Sequence, residues 1–233
     1  MDPRTKLLEE LATRYVAPIL TGAGFRKLGK RRWLAGQAPG NLQLVDMRPH
    51  HSDFEQVGFW IEWATIPAAM CDFWSRGSAR PGRPHVTWGI VADRVDVPFE
   101  MVVPFNINVE STYWVFSVSD GLDECGAALQ RLLTEGGVLD QWSKMLDREH
   151  VLRVLDEGTV KFRLPPGTPS SWPWRYLVMY IDDGDPELLD SMLAPLEEAF
   201  PAPDPAVYWR LRNYEVAAWL RQRLNNRVAE HRA

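Results

Sequence analysis

The short sequence HHSDFE, residues 50–55, gathers residue types that bind metals and transfer protons. It contains His50, His51, Asp53 and Glu55, and imidazole and carboxylate groups at close spacing can ligate zinc or manganese. Because adjacent side chains of a strand point to opposite faces, only one of the two histidines can join a given site. With His85 as a further ligand, the pattern would suit a metal-dependent hydrolase with a pocket between sheet and helices. The alternative, which the turn-like composition favours, is a solvated surface loop.

Two further groups could take part in catalysis. Asp147 and His150 are three residues apart, a spacing that brings side chains together on a helix, although a helix N-cap explains the aspartate equally well. Cys125 follows two acidic residues, which oppose the thiolate that a nucleophilic cysteine needs. Cys71 lies in the apolar sequence AAMCDFW, which is typical of a core position. We interpret both cysteines as structural.

The common catalytic and nucleotide-binding motifs are absent. No Walker motif, GxGxxG, GxSxG or HExxH sequence occurs. The sequence DDGDPE, residues 182–187, lacks the ligand spacing of a calcium-binding EF-hand loop, and a turn followed by a helix cap accounts for it. The sequence therefore predicts no catalytic residue, no metal ligand and no cofactor.

The segment GFRKLGKRRW, residues 24–33, is strongly basic although the chain has a net charge of −5. An unbroken strand would place cations on both faces, whereas a bulge or left-handed residue at Gly29 would reset the register. We therefore predict a hairpin whose cations lie at an exposed tip or edge. The alternatives are an acidic protein partner, or nucleic acid with Trp33 or Trp60 as a stacking platform. The five cations are Arg26, Lys27, Lys30, Arg31 and Arg32.

Acidic and basic residues are separated near the C-terminal end. Residues 176–209 contain no lysine or arginine, and several arginines follow within 210–227. One explanation is that acids precede helices and bases end them, as the helix dipole favours. The other is a pair of patches that steer a charged partner. We select as candidate partner-binding acids Asp182, Asp183, Asp185, Glu187 and Asp190.

Hydrophobic periodicity predicts the elements that must position these residues. A capped helix begins at Asp2 and Pro3 and ends at Gly22 or Gly24. Alternating patterns then predict strands near residues 42–47, 57–63, 86–90, 105–109 and 113–118, with short links that imply an antiparallel sheet. Helical patterns cover residues 123–135, 138–146, 148–157, 188–196 and 205–228. Residues 172–182 fit a helix better than the competing strand, because neither alternate face is polar.

Residues 8–47 resemble a bacterial domain-of-unknown-function family that opens with a helix and a PxLxxxGFxKxGxxxW-type strand. The resemblance implies that Pro18 and Gly24 end the helix, that Phe25 and Trp33 anchor the first strand, and that Gly29 makes the turn. It supplies no catalytic residue, and some such domains resemble immunity or accessory proteins of bacterial conflict systems. The matching residues are Pro18, Leu20, Gly24, Phe25, Lys27, Gly29 and Trp33.

Together these patterns predict an α+β protein with an N-terminal helix, an antiparallel sheet of about five or six strands and a helical C-terminal half. We predict an α+β domain over residues 1–165, with a C-terminal helical segment over 166–233 packed on it. The predicted function is a non-catalytic protein-binding module, such as an immunity or accessory factor that masks a charged partner, with a metal-dependent hydrolase and a nucleic-acid-binding protein as alternatives. The N-terminus lacks a signal peptide and no apolar run spans a bilayer, so we predict a cytoplasmic location and no membrane partner.

Overall fold

The N-terminal helix begins at an aspartate cap and ends at a glycine. The computed structural model describes residues 2–50, 55–76, 83–95, 113–160, 172–202 and 208–230, without the side chains of 172 and 208–212. Helix α1 (Pro3–Leu11) begins where the Asp2 carboxylate accepts a hydrogen bond from the Arg4 backbone N–H at 3.1 Å. Helix α2 (Ala17–Gly22) then leads to Gly24, whose φ of 87° only glycine adopts readily. The predicted capped start and glycine-rich end are confirmed.

Pro18 lies inside this helix, so the prediction that it ends the helix is wrong. Between α1 and α2, Ala12–Val16 form a π-helical turn in which the Ala17 N–H donates to the Ala12 carbonyl. A proline offers no N–H to the carbonyl four residues earlier, and its ring crowds that carbonyl. The wider turn, which is the form that a π-helix usually takes inside an α-helix, accommodates Pro18 without a break.

The sheet has the antiparallel architecture that the alternating patterns predict. Its strands follow the order β1-β2-β3-β4-β5, and β6 pairs with β4 as well. The register of β4 and β6 places Gln56 opposite Ser117 and Phe59 opposite Trp114. Among the described residues, β1 is thus an edge strand. The strands are β1 (Arg26–Gly29), β2 (Arg32–Gly36), β3 (Asn41–His50), β4 (Gln56–Pro67), β5 (Val91–Arg94) and β6 (Trp114–Ser117).

Two parts of the middle region differ from the sequence-based prediction. The strand predicted over 86–90 is a 3₁₀ turn, Val86–Trp88, because the His85 side chain accepts the Thr87 backbone N–H and tightens the chain. Helix α3 (Ala68–Ser75) was not predicted, since its eight residues contain only two turns of helical period. The strand predicted over 105–109 lies outside the described residues.

The helices of the C-terminal half match the predicted periods. Trp174, Leu177, Val178 and Ile181 are fully buried, and residues 172–180 form a helix, which confirms the helical interpretation over the strand. The Asp185 carboxylate caps the next helix by accepting the Glu187 N–H at 3.0 Å. The helices are α4 (Leu122–Glu135), α5 (Val138–Lys144), α6 (Arg148–Asp156), α7 (Trp172–Tyr180), α8 (Pro186–Ala199) and α9 (Tyr208–Glu230).

Contacts between residues divide the chain into two compact units that interleave along the sequence. Unit 1 comprises Met1–Gly36, Gln43–Ala64 and Ala92–Leu146, and unit 2 comprises Gln37–Leu42, Thr65–Val91 and Asp147–Ala233. The predicted boundary between residues 165 and 166 falls outside the described residues, so the domains 1–165 and 166–233 stay a prediction.

Unit 1 buries one face of its sheet and one face of its N-terminal helix. The rings of Phe59 and Trp114 stack with centroids 6.1 Å apart, and Phe116 meets Phe59 edge-on at 6.2 Å. Phe25 contacts Trp142 edge-on at 6.2 Å. Aromatic pairs of this geometry stabilise a core beyond the area that they bury.

Unit 2 is built mainly from helices. Trp174 and Phe200 contact one another with ring centroids 6.0 Å apart, and Phe73 of α3 contacts Trp219 of α9 at 5.2 Å. Most of the described tryptophans in both units are buried, so they contribute mainly to core packing. Among the described residues, no helix combines the length and apolar character that crossing a bilayer requires.

Candidate functional site

One face of β4 is more open than the other. Val57, Phe59 and Ile61 are buried against the core, whereas Trp60 and Glu62 on the alternate face are only partly buried. This is the period-two division that the sequence predicts. The open face is where large polar and aromatic side chains of unit 1 can meet a ligand.

Three rings form a row across this open face. Trp60 and His50 of β3 lie with ring centroids 4.4 Å apart, and His50 and Tyr113 lie 4.5 Å apart. Because Phe59 pairs with Trp114, the next residue of β4 lies beside the residue that precedes Trp114. The β4–β6 register therefore brings Tyr113 to the same face as Trp60.

A charged row lies next to the aromatic row. Glu62 accepts a hydrogen bond from Arg48 Nη1 at 3.0 Å and a longer one from Arg94 Nε at 3.4 Å. The Arg94 guanidinium also lies 4.3 Å above the centroid of the Trp60 ring, a cation–π contact. We call the two rows together the sheet-face cluster, which consists of Arg48, His50, Trp60, Glu62, Arg94 and Tyr113.

The sheet-face cluster combines a fixed carboxylate with accessible cations. The Glu62 side chain is only 12% exposed, while those of Arg48 and Arg94 are 44% and 41% exposed. Two guanidinium groups against one carboxylate leave one net positive charge at the surface. The arrangement can therefore accept an anionic or hydrogen-bond-accepting group beside a planar apolar one.

The basic segment forms the predicted hairpin, with its cations distributed over an edge and a tip. In β1 and β2, Lys27 lies opposite Trp33 and Gly29 opposite Arg32, with a shift of register between Lys27 and Gly29. The register shift corresponds to the bulge alternative at Gly29, since the positive-φ glycines of the described residues do not include it. Lys30 and Arg31 form the turn.

Two of the five cations of this segment bind carboxylates within unit 1. Lys30 pairs with Glu9 at 2.7 Å and Arg32 pairs with Asp46 at 2.5 Å. Arg31 is half-buried, whereas Arg26 and Lys27 are exposed on the edge strand. The segment therefore offers less positive charge to a polyanion than its composition indicates.

Trp33 cannot stack on a nucleobase, so the interpretation of it as a stacking platform is wrong. Its side chain is fully buried, because β2 is covered on both faces: Trp33, Leu34 and Ala35 are all buried. Phe25 is also buried, which confirms that these two aromatic residues anchor the hairpin.

Most of the candidate acids in unit 2 are engaged by arginines of the same unit. Asp182 binds Arg223, with Arg223 Nη2 2.9 Å from the carboxylate, and Asp183 pairs with Arg148 at 2.6 Å. Asp190 pairs with Arg221. Asp185 caps α8, and Glu187 is exposed. The acidic stretch is thus largely neutralised within unit 2.

The arginines of α9 bind the acidic stretch rather than forming a separate basic patch. Arg221 also donates to Glu197, with Nη2 2.7 Å from a carboxylate oxygen, and these hydrogen bonds raise its pKa further above the ordinary arginine range. Arg223 also pairs with Asp72 at 3.0 Å. Arg227 Nη1 donates to the Ile181 carbonyl at 2.8 Å. Asp185 and Glu187 at the start of α8 and Arg227 in the last turn of α9 agree with dipole complementarity. The other opposite charges bind one another, so they do not form two separate steering patches.

The histidines and cysteines do not assemble into one described site. His50 belongs to the sheet-face cluster, His85 caps the 3₁₀ turn, and His150 Nδ1 lies 2.7 Å from Arg153 Nη2. His51 and Asp53 lie outside the described residues. Among the described residues, no group of three or more His, Cys, Asp or Glu side chains is arranged to hold a metal ion.

Burial makes Cys125 a poor nucleophile, which agrees with the sequence-based interpretation of this cysteine as structural. Its side chain has no solvent exposure, and burial together with the nearby Glu124 carboxylate raises the pKa of the thiol to about 12. Asp147 caps α6 by accepting the Glu149 backbone N–H at 3.0 Å, which confirms the capping explanation for that residue.

Sequence reasoning selected Trp60 but missed its charged and aromatic neighbours. Glu62 is in a strand that the sequence predicts, and Arg48 directly follows the strand predicted over residues 42–47. Arg94 of β5 is 32 positions further along the chain than Glu62, and Tyr113, directly before β6, is 53 positions further than Trp60. No local pattern reveals that these strands lie along the same side of β4.

Comparisons with protein-family models, with the sequences of curated proteins and with solved structures give no match for this chain. The resemblance to a bacterial domain-of-unknown-function family therefore rests on its short motif alone.

Proposed function

We propose that this protein is a non-catalytic protein-binding module that holds its partner on the sheet-face cluster. The observation that carries the proposal is the position of Trp60, which lies against His50 and beneath the Arg94 guanidinium on the open face of the sheet. Tryptophan, tyrosine and arginine are the residue types that contribute most of the binding energy at protein interfaces. Here all three residue types occur together and partly exposed, Trp60, Arg48 and Arg94 on strands and Tyr113 directly before β6.

The rigidity of the sheet-face cluster supports this function. Its side chains are already held by one another, so a partner would not have to order them on binding. A site placed on adjacent strands is also fixed more accurately than one placed on loops. These properties suit recognition of a folded or extended protein surface.

In this proposal, the candidate acids and the edge cations contribute less to partner binding than Trp60 does. Asp182, Asp183 and Asp190 already bind arginines of their own unit. Arg26 and Lys27 remain exposed at the sheet edge and can extend the contact with a charged partner. The role of an immunity or accessory factor that masks such a partner is part of the same proposal.

The proposal includes a cytoplasmic location. Cys71 and Cys125, the two cysteines of the sequence, are both described and are not joined by a disulfide. Cysteines that do not form disulfides are usual in proteins of reducing compartments. Fractionation of the native host, with detection by a specific antibody, tests the location.

Affinity capture from the native host tests the function. The bait proteins are the unmodified chain, Trp60→Ala, and Trp88→Ala as a control in which another half-buried tryptophan, outside the cluster, is removed. We expect a protein that the unmodified chain and Trp88→Ala retain and Trp60→Ala loses. With the purified partner, Trp60→Ala should weaken binding by about 2 kcal/mol or more, or roughly 30-fold.

The variant must remain folded for this comparison, so thermal unfolding of each bait is measured first. Trp60→Phe keeps an aromatic ring under Arg94 and should retain much of the affinity if the ring is the anchor. Equal capture by the unmodified chain and Trp60→Ala, or capture of nucleic acid alone, would reject the proposal.

A further inference from the structure

We infer that the sheet-face cluster recognises an acidic peptide segment, in which a side-chain carboxylate binds Arg48 and Arg94 and a neighbouring aromatic residue packs on Trp60 and Tyr113. This inference rests on the proposed function, because it names the chemistry of the partner at the same site. It comes from the hydrogen-bond donors, the charge and the geometry of the cluster.

The two arginines retain donors after binding Glu62. A guanidinium carries five N–H groups, and the described contacts use Nη1 of Arg48 and Nε of Arg94. Both side chains are more than two-fifths exposed. A second carboxylate can therefore bind beside Glu62 without displacing it, and charge-assisted hydrogen bonds of this kind are among the strongest in proteins.

The Arg94 guanidinium is already oriented for such a contact. It is held from below by the Trp60 ring at 4.3 Å and from the side by Glu62. A long arginine side chain ordinarily loses rotamer freedom when it binds a partner. Since these two contacts already restrict Arg94, binding of a carboxylate costs less side-chain entropy there, and more of the interaction energy appears as affinity.

The charge of the cluster favours one carboxylate over a run of phosphates. Arg48 and Arg94 against Glu62 leave a single net positive charge. Nucleic acid is retained by several unpaired cations along its backbone, but the nearby hairpin cations Lys30 and Arg32 are paired with Glu9 and Asp46. An acidic peptide therefore matches the surface better than a polynucleotide does.

The aromatic row defines the second part of the ligand. The His50 ring lies between those of Trp60 and Tyr113, tilted against both, and these three side chains are half-buried, which leaves partial ring surface accessible next to Arg94. Aromatic rings pack against one another with centroids about 4.5–7 Å apart. An aromatic residue beside the acidic one can thus cover this surface.

Titration with short synthetic ligands tests the inference. The probe is a blocked octapeptide of alternating glutamate and tyrosine, with the lysine–tyrosine octapeptide and an eight-nucleotide oligo-dT as comparisons, all measured by calorimetry with the full chain. We expect the glutamate–tyrosine peptide to bind more tightly than either comparison. Arg94→Gln should weaken that binding at least tenfold, and Arg48→Gln should weaken it as well.

Arg14→Gln is the matched control, because Arg14 is also exposed and paired with a carboxylate, Asp123, but lies on the N-terminal helix. It should bind the peptide as the unmodified chain does. Arg94→Lys keeps the charge but loses the planar fork, so we expect intermediate binding; it also guards against misfolding of the glutamine variant. Absence of binding, equal binding by Arg94→Gln, or equal binding of oligo-dT or the lysine peptide would overturn the inference.

The two proposals can fail separately. If host capture finds no Trp60-dependent protein while peptide binding depends on Arg94, the proposed function is wrong and the carboxylate site stands. If capture finds a Trp60-dependent partner whose binding is unchanged by Arg94→Gln, the proposed function stands and the acidic ligand is wrong.

Discussion

Gly126 of α4 shows how one missing methyl group lets two elements approach. A Cβ atom at this position would lie 2.5 Å from the ring of Tyr15, closer than any non-bonded carbon contact allows. The ring is held there because the Tyr15 hydroxyl donates to Asp123 at 2.5 Å. The glycine therefore permits the π-helical turn to pack on α4.

Gly126→Ala should destabilise the protein. The added methyl group must push Tyr15 or α4 aside, and overpacking of this kind costs about 1–3 kcal/mol, more than the roughly 1 kcal/mol that alanine gains in helix propensity. Thermal or urea unfolding measures the change. Gly22→Ala is the control, since its Cβ would meet no atom within 4 Å and stability should stay level or rise. Unchanged stability of Gly126→Ala would contradict the packing argument.

The two cysteines should differ in reactivity with a thiol reagent at pH 8. Cys125 is buried and its pKa is raised to about 12, so its thiolate is scarce and inaccessible in the folded protein. Cys71 is partly exposed. We expect Cys71→Ser to show no fast reaction until guanidinium unfolds the chain, when one thiol should react. Rapid labelling of folded Cys71→Ser would show that the environment of Cys125 is open.

The same raised pKa has a consequence for stability at alkaline pH. Above about pH 9 the Cys125 thiol ionises in the unfolded chain but stays protonated in the folded one, so the unfolded state binds fewer protons there. The contribution of the Cys125 thiol to the free energy of unfolding is therefore at its full value below about pH 9 and decreases as the pH rises towards 12. Urea unfolding at pH 8 and pH 10 should show a smaller decrease in Cys125→Ala than in the unmodified chain. Equal decreases would contradict this account.

At the scale of elements, α9 is fastened to the turn between α7 and α8 by arginines. Arg223 binds Asp182, and Arg227 donates to the carbonyls of Ile181 and Gly184. These two carbonyls lie in the turn that follows α7, so Arg227 supplies hydrogen-bond donors to backbone groups outside the helix. The acidic sequence DDGDPE is thus explained by contacts inside unit 2.

A double-mutant cycle on Arg223 and Asp182 should show strong coupling. The Asp182 side chain is 17% exposed and that of Arg223 28%, so loss of one partner leaves a poorly solvated charge. We expect Arg223→Gln to lower the free energy of unfolding by about 1–2 kcal/mol, between values for surface and buried pairs, and less when Asp182→Asn is also present. Lys144→Gln, which breaks a well-exposed pair with Asp140, should change stability by less than about 0.5 kcal/mol. If Arg223→Gln and Lys144→Gln changed the free energy of unfolding by the same amount, the Arg223–Asp182 pair would not stabilise the packing of α9.

At the scale of the whole molecule, the net charge opposes the ligand that the sheet-face cluster suits. The chain has a net charge of −5, and like charges repel over a Debye length on the order of 10 Å at 0.1 M salt. An acidic peptide should therefore reach the cluster against a long-range repulsion and bind through short-range contacts.

Raising the salt concentration should then increase the association rate constant of the glutamate–tyrosine peptide and also increase its dissociation rate constant. Stopped-flow measurements between about 0.05 and 0.3 M NaCl check both rates. Arg94→Gln adds one negative charge to the net value, so its association should be slower and more sensitive to salt. An association rate that falls steeply with salt would instead indicate steering by a basic surface.

The sequence by itself determined those features that depend on neighbouring residues. Asp2 and Asp185 cap helices because their carboxylates reach N–H groups two residues away, and the alternation of Val57, Phe59 and Ile61 divides β4 into two faces. The hairpin of residues 24–33 follows from strand parity in the same way. Such contacts lie within a few residues, so local patterns contain them.

Only the tertiary structure decided which distant residues meet. Arg94 reaches Glu62 and Trp60 through the pairing of strands. Arg223 of α9 reaches Asp182, 41 positions earlier in the turn between α7 and α8, through the packing of unit 2. Composition shows charges and tryptophans without saying which charges cancel or which rings remain accessible. Burial and pairing depend on register and packing across the chain, and these turned a basic segment and an acidic stretch into internal ion pairs and left the Trp60 face open.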